Sequence, residues 1–493
     1  MPELELWMRV GQPLEPVLAD QERLLDVWQS GGVRGLVIGR LLFLAEYTDT
    51  AERAEGEGAA QAAPQAAPPP ATWDGLRPGT VPAFAANHTV YRRWNVAPPP
   101  APAQSFPERL EQLQKLIEAA KRRGWPVYLY EPAAGQGGEA ECGPAILLDG
   151  SRQRSYLARL EDAIGQLPQA DGVILDGPHW GYEIAHGHDS SLFDDLSAEQ
   201  TAGNTNVDFD RLLSAQGRLN QRLHKLSREQ ATLAGAGGLF ATLALIGNDP
   251  GIVAWLAFRA RAVTTFFQQV HQLCEALTRT RGRQVKLGIT TPTPSLMVLA
   301  GYDLPATAAN FDLIVPKLGV WHRGTGGLYG TVGRWVSTLA DWNPGLWEPE
   351  AFAAVKALLG IALPSTEPDA KPGQTMSGLR ELERGFPDAF FRETMTSEVR
   401  RALAAADGYP WRLLPAVDAG RRPQGGDPVT AHDLRRLLVA AKEGGARHVL
   451  FHNHGHLTAA EWMVLSEYCG SSWRAGPGLY GSYAPPDAER AHG

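Results

Sequence analysis

Residues 170–183, ADGVILDGPHWGYE, put an acid at the end of an apolar run and follow it at once with rings and a second acid. Val173, Ile174 and Leu175 run without alternation, as in a strand covered on both faces. Asp176 then stands at its C-terminal end, with His179, Trp180, Tyr182 and Glu183 in the loop beyond. Carboxylates for proton transfer beside flat rings for the apolar faces of pyranoses are the ingredients of a sugar site. Cleaving a glycosidic bond needs two carboxyl groups, one able to hold a proton and one ionised. Asp176 is one, and its partner is either Glu183, where two aromatic neighbours predict desolvation and a raised pKa, or Asp418, which follows LLPAV.

Two other stretches carry chemistry. PKLGVWHRGTGGLYG at 316–330 places Lys317, Trp321, His322 and Arg323 before a glycine-rich turn, an arrangement for stacking on a sugar and hydrogen-bonding its hydroxyls. Its glycine spacing does not match a Walker or dinucleotide fingerprint. VLFHNHGHL at 449–457 sets His452, His454 and His456 at every second position around Asn453, so an extended chain points them to one side. A metal cluster with Asp176 or His179 is the competing reading. The expectation is a metal-free site in which one of these histidines meets ligand hydroxyls. Arg40, Asn87 and Tyr91 are further candidates to reach the site, against inner packing or loop structure.

Elements that position these groups follow from period and punctuation. Apolar runs at about 4–10, 35–41, 126–130, 172–176, 285–290, 311–316, 412–417 and 447–452 predict eight strands alternating with amphipathic helices, hence a parallel sheet. Ser105 with Glu108 and Thr458 with Glu461 read as capping boxes, and Gly124, Gly282 and Gly444 read as left-handed residues closing helices. Links from helix into strand are short (GGVR, RRGW, GRQ, EGGAR), whereas long insertions at 131–146, 177–207, 317–333, 362–376 and 418–428 follow strands. The decorated face is therefore the C-terminal end of the strands, where barrel enzymes build their sites. The fold expected is a (β/α)8 TIM barrel over residues 1–470 with long βα-loop insertions, including low-complexity sequence within about 47–104, and a flexible tail at 471–493.

Composition narrows the partners. With 46 Lys and Arg against 54 Asp and Glu, a net charge of -8 leaves no footprint for a nucleic acid. Residues 231–247 fall short of the roughly 20 apolar residues of a membrane helix. Three separated cysteines, Cys142, Cys274 and Cys469, and an acidic N-terminus without an apolar signal core point to a cytoplasmic protein with reduced thiols. Neither cofactor nor oligomeric state is indicated.

WMRV at 7–10, GLVIGRLLF at 35–43, LIEAAKRRGWPVYLY at 116–130, DGVILDG at 171–177, AWLAFRARAVTTFFQQVHQL at 254–273 with VKLGIT at 285–290, and FDLIVPKLGVW at 311–321 resemble the family-10-like glycosyl hydrolases, bacterial TIM-barrel proteins regarded as glycosidases. The resemblance covers residues 1–330 and implies hydrolysis of glycosidic bonds, with the family's acid after the fourth strand falling on Asp176. Two other classes remain beside it: a metal-dependent barrel hydrolase or isomerase using the eighth-strand histidines, and a degenerate barrel that only binds carbohydrate.

Overall fold

The computed structural model describes residues 4–11, 14–39, 41–44, 80–82, 84–99, 108–133, 145–184, 191–193, 208–237, 245–246, 248–319, 328–361, 388–419, 429–452, 454 and 457–470. Eight strands form one parallel sheet: β1 (Glu5–Val10), β2 (Val33–Ile38), β3 (Val127–Pro132), β4 (Gly172–Asp176), β5 (Lys286–Thr291), β6 (Leu313–Pro316), β7 (Ala416–Val417) and β8 (His448–Phe451). Their hydrogen-bonded order is β6-β5-β4-β3-β2-β1-β8-β7. Parallel bridges Ile314↔Leu413 and Lys317↔Ala416 join the two ends and close the barrel. All eight expected strands are present, and the (β/α)8 architecture is the one expected.

Helices follow in the order such a barrel requires: α1 (Gln21–Ser30), α2 (Arg109–Arg122), α3 (Gly150–Gln166), α4 (Pro250–Arg281), α5 (Leu304–Ala308), α6 (Thr396–Ala405), α7 (Ala431–Glu443) and α8 (Ala459–Cys469). Parallel neighbours need such crossovers, because a tight hairpin reverses the chain. The start of α8 is the expected capping box of Thr458 and Glu461, and Thr430 with Asp433 makes another on α7. The other box is not formed: α2 begins at Arg109 with Glu108 as an N-cap that gives no side-chain bond, and Ser105 lies outside the described residues. After α7 the left-handed residue is Gly445 (φ 96°), not Gly444, whose φ is -72°.

Strand alternation sorts side chains into two layers. Trp7, Val37, Tyr128, Tyr130, Ile174, Leu313, Val315, Leu414, Ala416 and Leu450 fill the barrel interior. Alternate positions, such as Met8, Leu129, Val173 and Leu175, pack outward against the helices. Gly35 is needed where Trp7 crosses the interior, since a Cβ there would lie 2.4 Å from the indole. Burial of these apolar side chains, at about 1.5–3 kcal/mol for each large one, sets the strand register that aims every second residue at the mouth.

Insertions after β4 and β6 add helices Phe209–Leu223, Arg228–Gly235, Leu328–Trp342 and Glu348–Leu359. They join each other: Asn343 donates to the Leu223 carbonyl at 2.8 Å, and Arg228 pairs with Glu350 at 2.7 Å. Asn87 and Tyr91 belong to packing rather than to a site. Asn87 caps helix His88–Trp94 and its N–H donates to Asp162 on α3, while Tyr91 is buried against Ala158.

Candidate active site

The inward residue at the C-terminal end of each strand decides what the mouth contains. On β4, Ile174 faces in, so Asp176 two positions on does as well. Its Oδ2 accepts from Tyr130 Oη on β3 at 2.5 Å, and its Oδ1 accepts from Thr290 Oγ1 on β5 at 2.5 Å. Lys317, just beyond β6, brings Nζ to 2.7 Å of Oδ1. Burial pushes the Asp176 carboxyl up, but the Lys317 charge and the hydrogen bonds from Lys317, Thr290 and Tyr130 outweigh it and hold the group well below the usual carboxylate range. Asp176 is ionised at neutral pH. Burial pushes the Tyr130 hydroxyl up to about 12, so it stays a donor.

The network continues across the mouth. Arg9 on β1 lies over the Tyr130 ring at 3.8 Å, donates from Nε to the Gly39 carbonyl at 3.3 Å, and sets Nη1 2.7 Å from His452 Nε2. His452, directly after β8, turns Nδ1 toward Asp418 Oδ2 at 3.6 Å. Asp418 directly follows β7, and its Oδ1 accepts from the Ala419 N–H at 2.9 Å. Asp176, Lys317, Asp418 and His452 are thus gathered on one polar rim above the apolar interior. Arg9, Tyr130 and Thr290 join them, and sequence reading did not single these three out.

The loop after β4 departs from expectation. Trp180 is fully buried, its Nε1 donating to the Arg259 carbonyl at 2.9 Å and its ring packed 5.9 Å from Phe258, so it presents no face to a sugar. Tyr182 is buried as well, and its carbonyl accepts from Trp335 Nε1 at 2.9 Å. Glu183 is 0% exposed: Oε1 accepts from Thr331 Oγ1 at 2.9 Å and pairs with the Arg334 guanidinium of helix Leu328–Trp342. A carboxylate buried and paired in this way ties two insertions together through Oε1, while Oε2 is buried without a hydrogen-bond partner among the described residues. In the same loop, His179 feels the charges of both Lys317 and Asp176. Its pKa is lowered, first by burial, with Lys317 adding to the effect, so the ring is neutral near pH 7, and its Nδ1 lies 3.0 Å from the Trp180 carbonyl.

His454 diverges from His452: its Nδ1 accepts from the Gly11 N–H at 3.3 Å and its ring stands edge-on to Trp28. Among the described residues no three His, Cys, Asp or Glu side chains converge as a metal set. Arg40, Trp321, His322, Arg323, Asn453 and His456 lie outside the described residues. Cys274 and Cys469 are buried thiols, pushed up to about 12 by burial and therefore poor nucleophiles. No described helix is long and apolar enough to cross a membrane.

Neither a protein-family model nor a curated protein matches this sequence. Solved structures similar to it include the spore cortex-lytic enzyme SleL of Bacillus megaterium QM B1551, at 9% identity and TM-score 0.38 over 96% of this chain and 75% of that one. A class V chitinase from Pseudomonas fluorescens Pf-5 has 10% identity and TM-score 0.41 over 95% and 99% of the two chains. A glycoside hydrolase family 18 N-acetylglucosaminidase from Paenibacillus barengoltzii has 8% identity and TM-score 0.40 over 94% and 99%. These neighbours are glycosidases of the family 18 or chitinase-like kind, and family 10 is not among the three. At such identities and scores they carry no argument about the chemistry of this chain, which rests on its own residues.

Proposed function

We propose that this chain is a glycoside hydrolase-like enzyme that takes a carbohydrate at the C-terminal mouth of its barrel and cleaves a glycosidic bond with Asp176 and Asp418. The observation that carries the reading is the state of Asp176: an inward carboxylate at the end of β4, kept ionised by Lys317, Thr290 and Tyr130. An acid held that far down gives up no proton at neutral pH, so its role is to stabilise or attack the developing oxocarbenium centre. Asp418, across the rim and facing His452, is the second carboxyl group of the pair. Glu183 leaves this pair because of its closed ion pair with Arg334. The family-10-like stretches along the strands support the same reading and the same acid. Two-carboxylate chemistry uses no cofactor, and the proposal places the protein in the cytoplasm, where its buried thiols stay reduced.

A panel of aryl glycosides and natural oligosaccharides incubated with the full chain tests the reading. Release of a sugar or aglycone, lost on changing Asp176, is the expected result. Saturable sugar binding by calorimetry without any turnover favours a degenerate binding barrel, and neither binding nor turnover across the panel contradicts the proposal.

A further inference from the structure

Arg9 is a buried cation in the mouth that the two-carboxylate chemistry does not itself use, and it touches groups leading to both acids. Its guanidinium lies over Tyr130 at 3.8 Å, and Tyr130 donates to Asp176 at 2.5 Å. Its Nη1 reaches His452 Nε2 at 2.7 Å, and His452 faces Asp418 across 3.6 Å. Its Nε donates to the carbonyl of Gly39, at 3.3 Å. Gly39 has φ 142°, and a Cβ there would lie 2.3 Å from the Tyr130 carbonyl oxygen, so the backbone that receives Arg9 tolerates no side chain.

The geometry points to Arg9 as a positioning residue that fixes His452 as the neutral tautomer with its proton on Nδ1, and so joins the Asp176 and Asp418 sides of the mouth in one frame. The functional part of this inference rests on the reading of those two carboxylates as the working pair; the tautomer does not. Every guanidinium nitrogen is a donor and none accepts. At 2.7 Å, His452 Nε2 therefore accepts through its lone pair and carries no proton. A neutral imidazole has one proton, and the bond made by one ring nitrogen decides where it sits. It falls on Nδ1, the atom turned to Asp418. Charged groups among the described residues that face His452 include Arg9 from β1 and Asp418 from the end of β7. A second proton on Nε2 would set two cationic N–H groups against each other.

Nitrogen NMR of the full chain with labelled histidine reads the tautomer directly, the His452 signals being assigned by their loss in His452→Gln. At pH 7 the expected spectrum has a protonated Nδ1 and an unprotonated Nε2. Arg9→Met should let the proton redistribute between the two nitrogens, while Arg9→Lys, which still offers only donors, should retain the wild-type pattern. On a glycoside that the wild type cleaves, Arg9→Met should lower kcat about 10²-fold with little change in KM, the size of effect that a small misplacement of reacting groups brings. Protonated Nε2 in the wild type overturns the tautomer. An Arg9→Met protein with an unchanged His452 spectrum or unchanged kcat overturns the positioning role. If Arg9→Met does not fold, the wild-type and Arg9→Lys spectra decide the tautomer, and kcat of Arg9→Lys decides the positioning role: retained along with the wild-type spectrum it supports the role, and lowered with that spectrum unchanged it overturns it. A wild type that cleaves no glycoside refutes the proposed function and leaves the tautomer measurement standing.

Discussion

Asp176 and Glu183 come from the same short stretch, seven positions apart, and both are carboxylates beside a cation, yet they occupy different worlds. Asp176 keeps 14% of its side chain exposed and takes its partners from three barrel positions, Tyr130, Thr290 and Lys317. Glu183 has none exposed and takes its partners, Thr331 and Arg334, from a helix inserted after β6. The difference lies in what aims each residue. Strand alternation directs Asp176 inward with Ile174, whereas past the strand the chain follows its anchors, Trp180 on the α4 carbonyl of Arg259 and Trp335 on the carbonyl of Tyr182. The carboxylate that stays partly exposed sits where the backbone is regular. The closed charge holds the cover in place.

That contrast is open to attack by mutation. Glu183→Gln removes the buried carboxylate charge that Arg334 pairs with and should cost about 3–5 kcal/mol of stability, read by denaturant unfolding, with turnover per folded molecule unchanged. A drop in turnover at full stability would return Glu183 to the chemistry. Tyr130→Phe removes one hydrogen bond to a charged acceptor and should cost about 1.5–3 kcal/mol, while moving the acid limb of any rate profile to higher pH; a limb that stays put breaks the link between Tyr130 and Asp176.

Acid titration sharpens the same point. A carboxyl depressed in the folded state contributes stability that is complete above its unfolded value, near 3.9, and is lost as pH falls through the folded value. The stability gap between wild type and Asp176→Asn should therefore be level from pH 7 to about 5 and narrow below about 4; a gap that widens on acidification contradicts the ion pair with Lys317. The smallest effect expected is none: because His452 and His454 point apart, chelator treatment should leave turnover unchanged, and activity lost to chelator and restored by zinc or manganese would favour the metal reading.

The barrel was legible because its signals are local: unbroken apolar runs, glycine-marked short links and long insertions on one face. Asp176, Lys317, Asp418 and His452 were legible for the same reason, each lying at or just past the end of such a run. Arg9, Tyr130 and Thr290 were hidden inside ELWMRV, VYLYEP and KLGITT, which read as strand interior. The available clue was alternation, since Trp7 with Arg9, Tyr128 with Tyr130 and Gly288 with Thr290 each share a face. Trp180, Tyr182 and Glu183 were misplaced because their surroundings come from α4 and from helix Leu328–Trp342, distant in sequence, and loop spacing carries no record of them. Gly444 and Gly445 show the limit at single-residue scale: the first is required by close packing, a Cβ there lying 2.5 Å from Val399, and the second by its φ of 96°.

The central claim is that Asp176 is the ionised working carboxylate of the mouth. Turnover of Asp176→Asn on a glycoside cleaved by the wild type, with the fold of both checked by circular dichroism, tests it most directly. Asparagine keeps the volume and one acceptor oxygen, its amide nitrogen facing the second hydroxyl as a donor, but it carries no charge. The account predicts a loss of at least roughly 10² to 10⁴-fold in kcat with the fold intact; a folded Asp176→Asn protein turning over at close to the wild-type rate would contradict it.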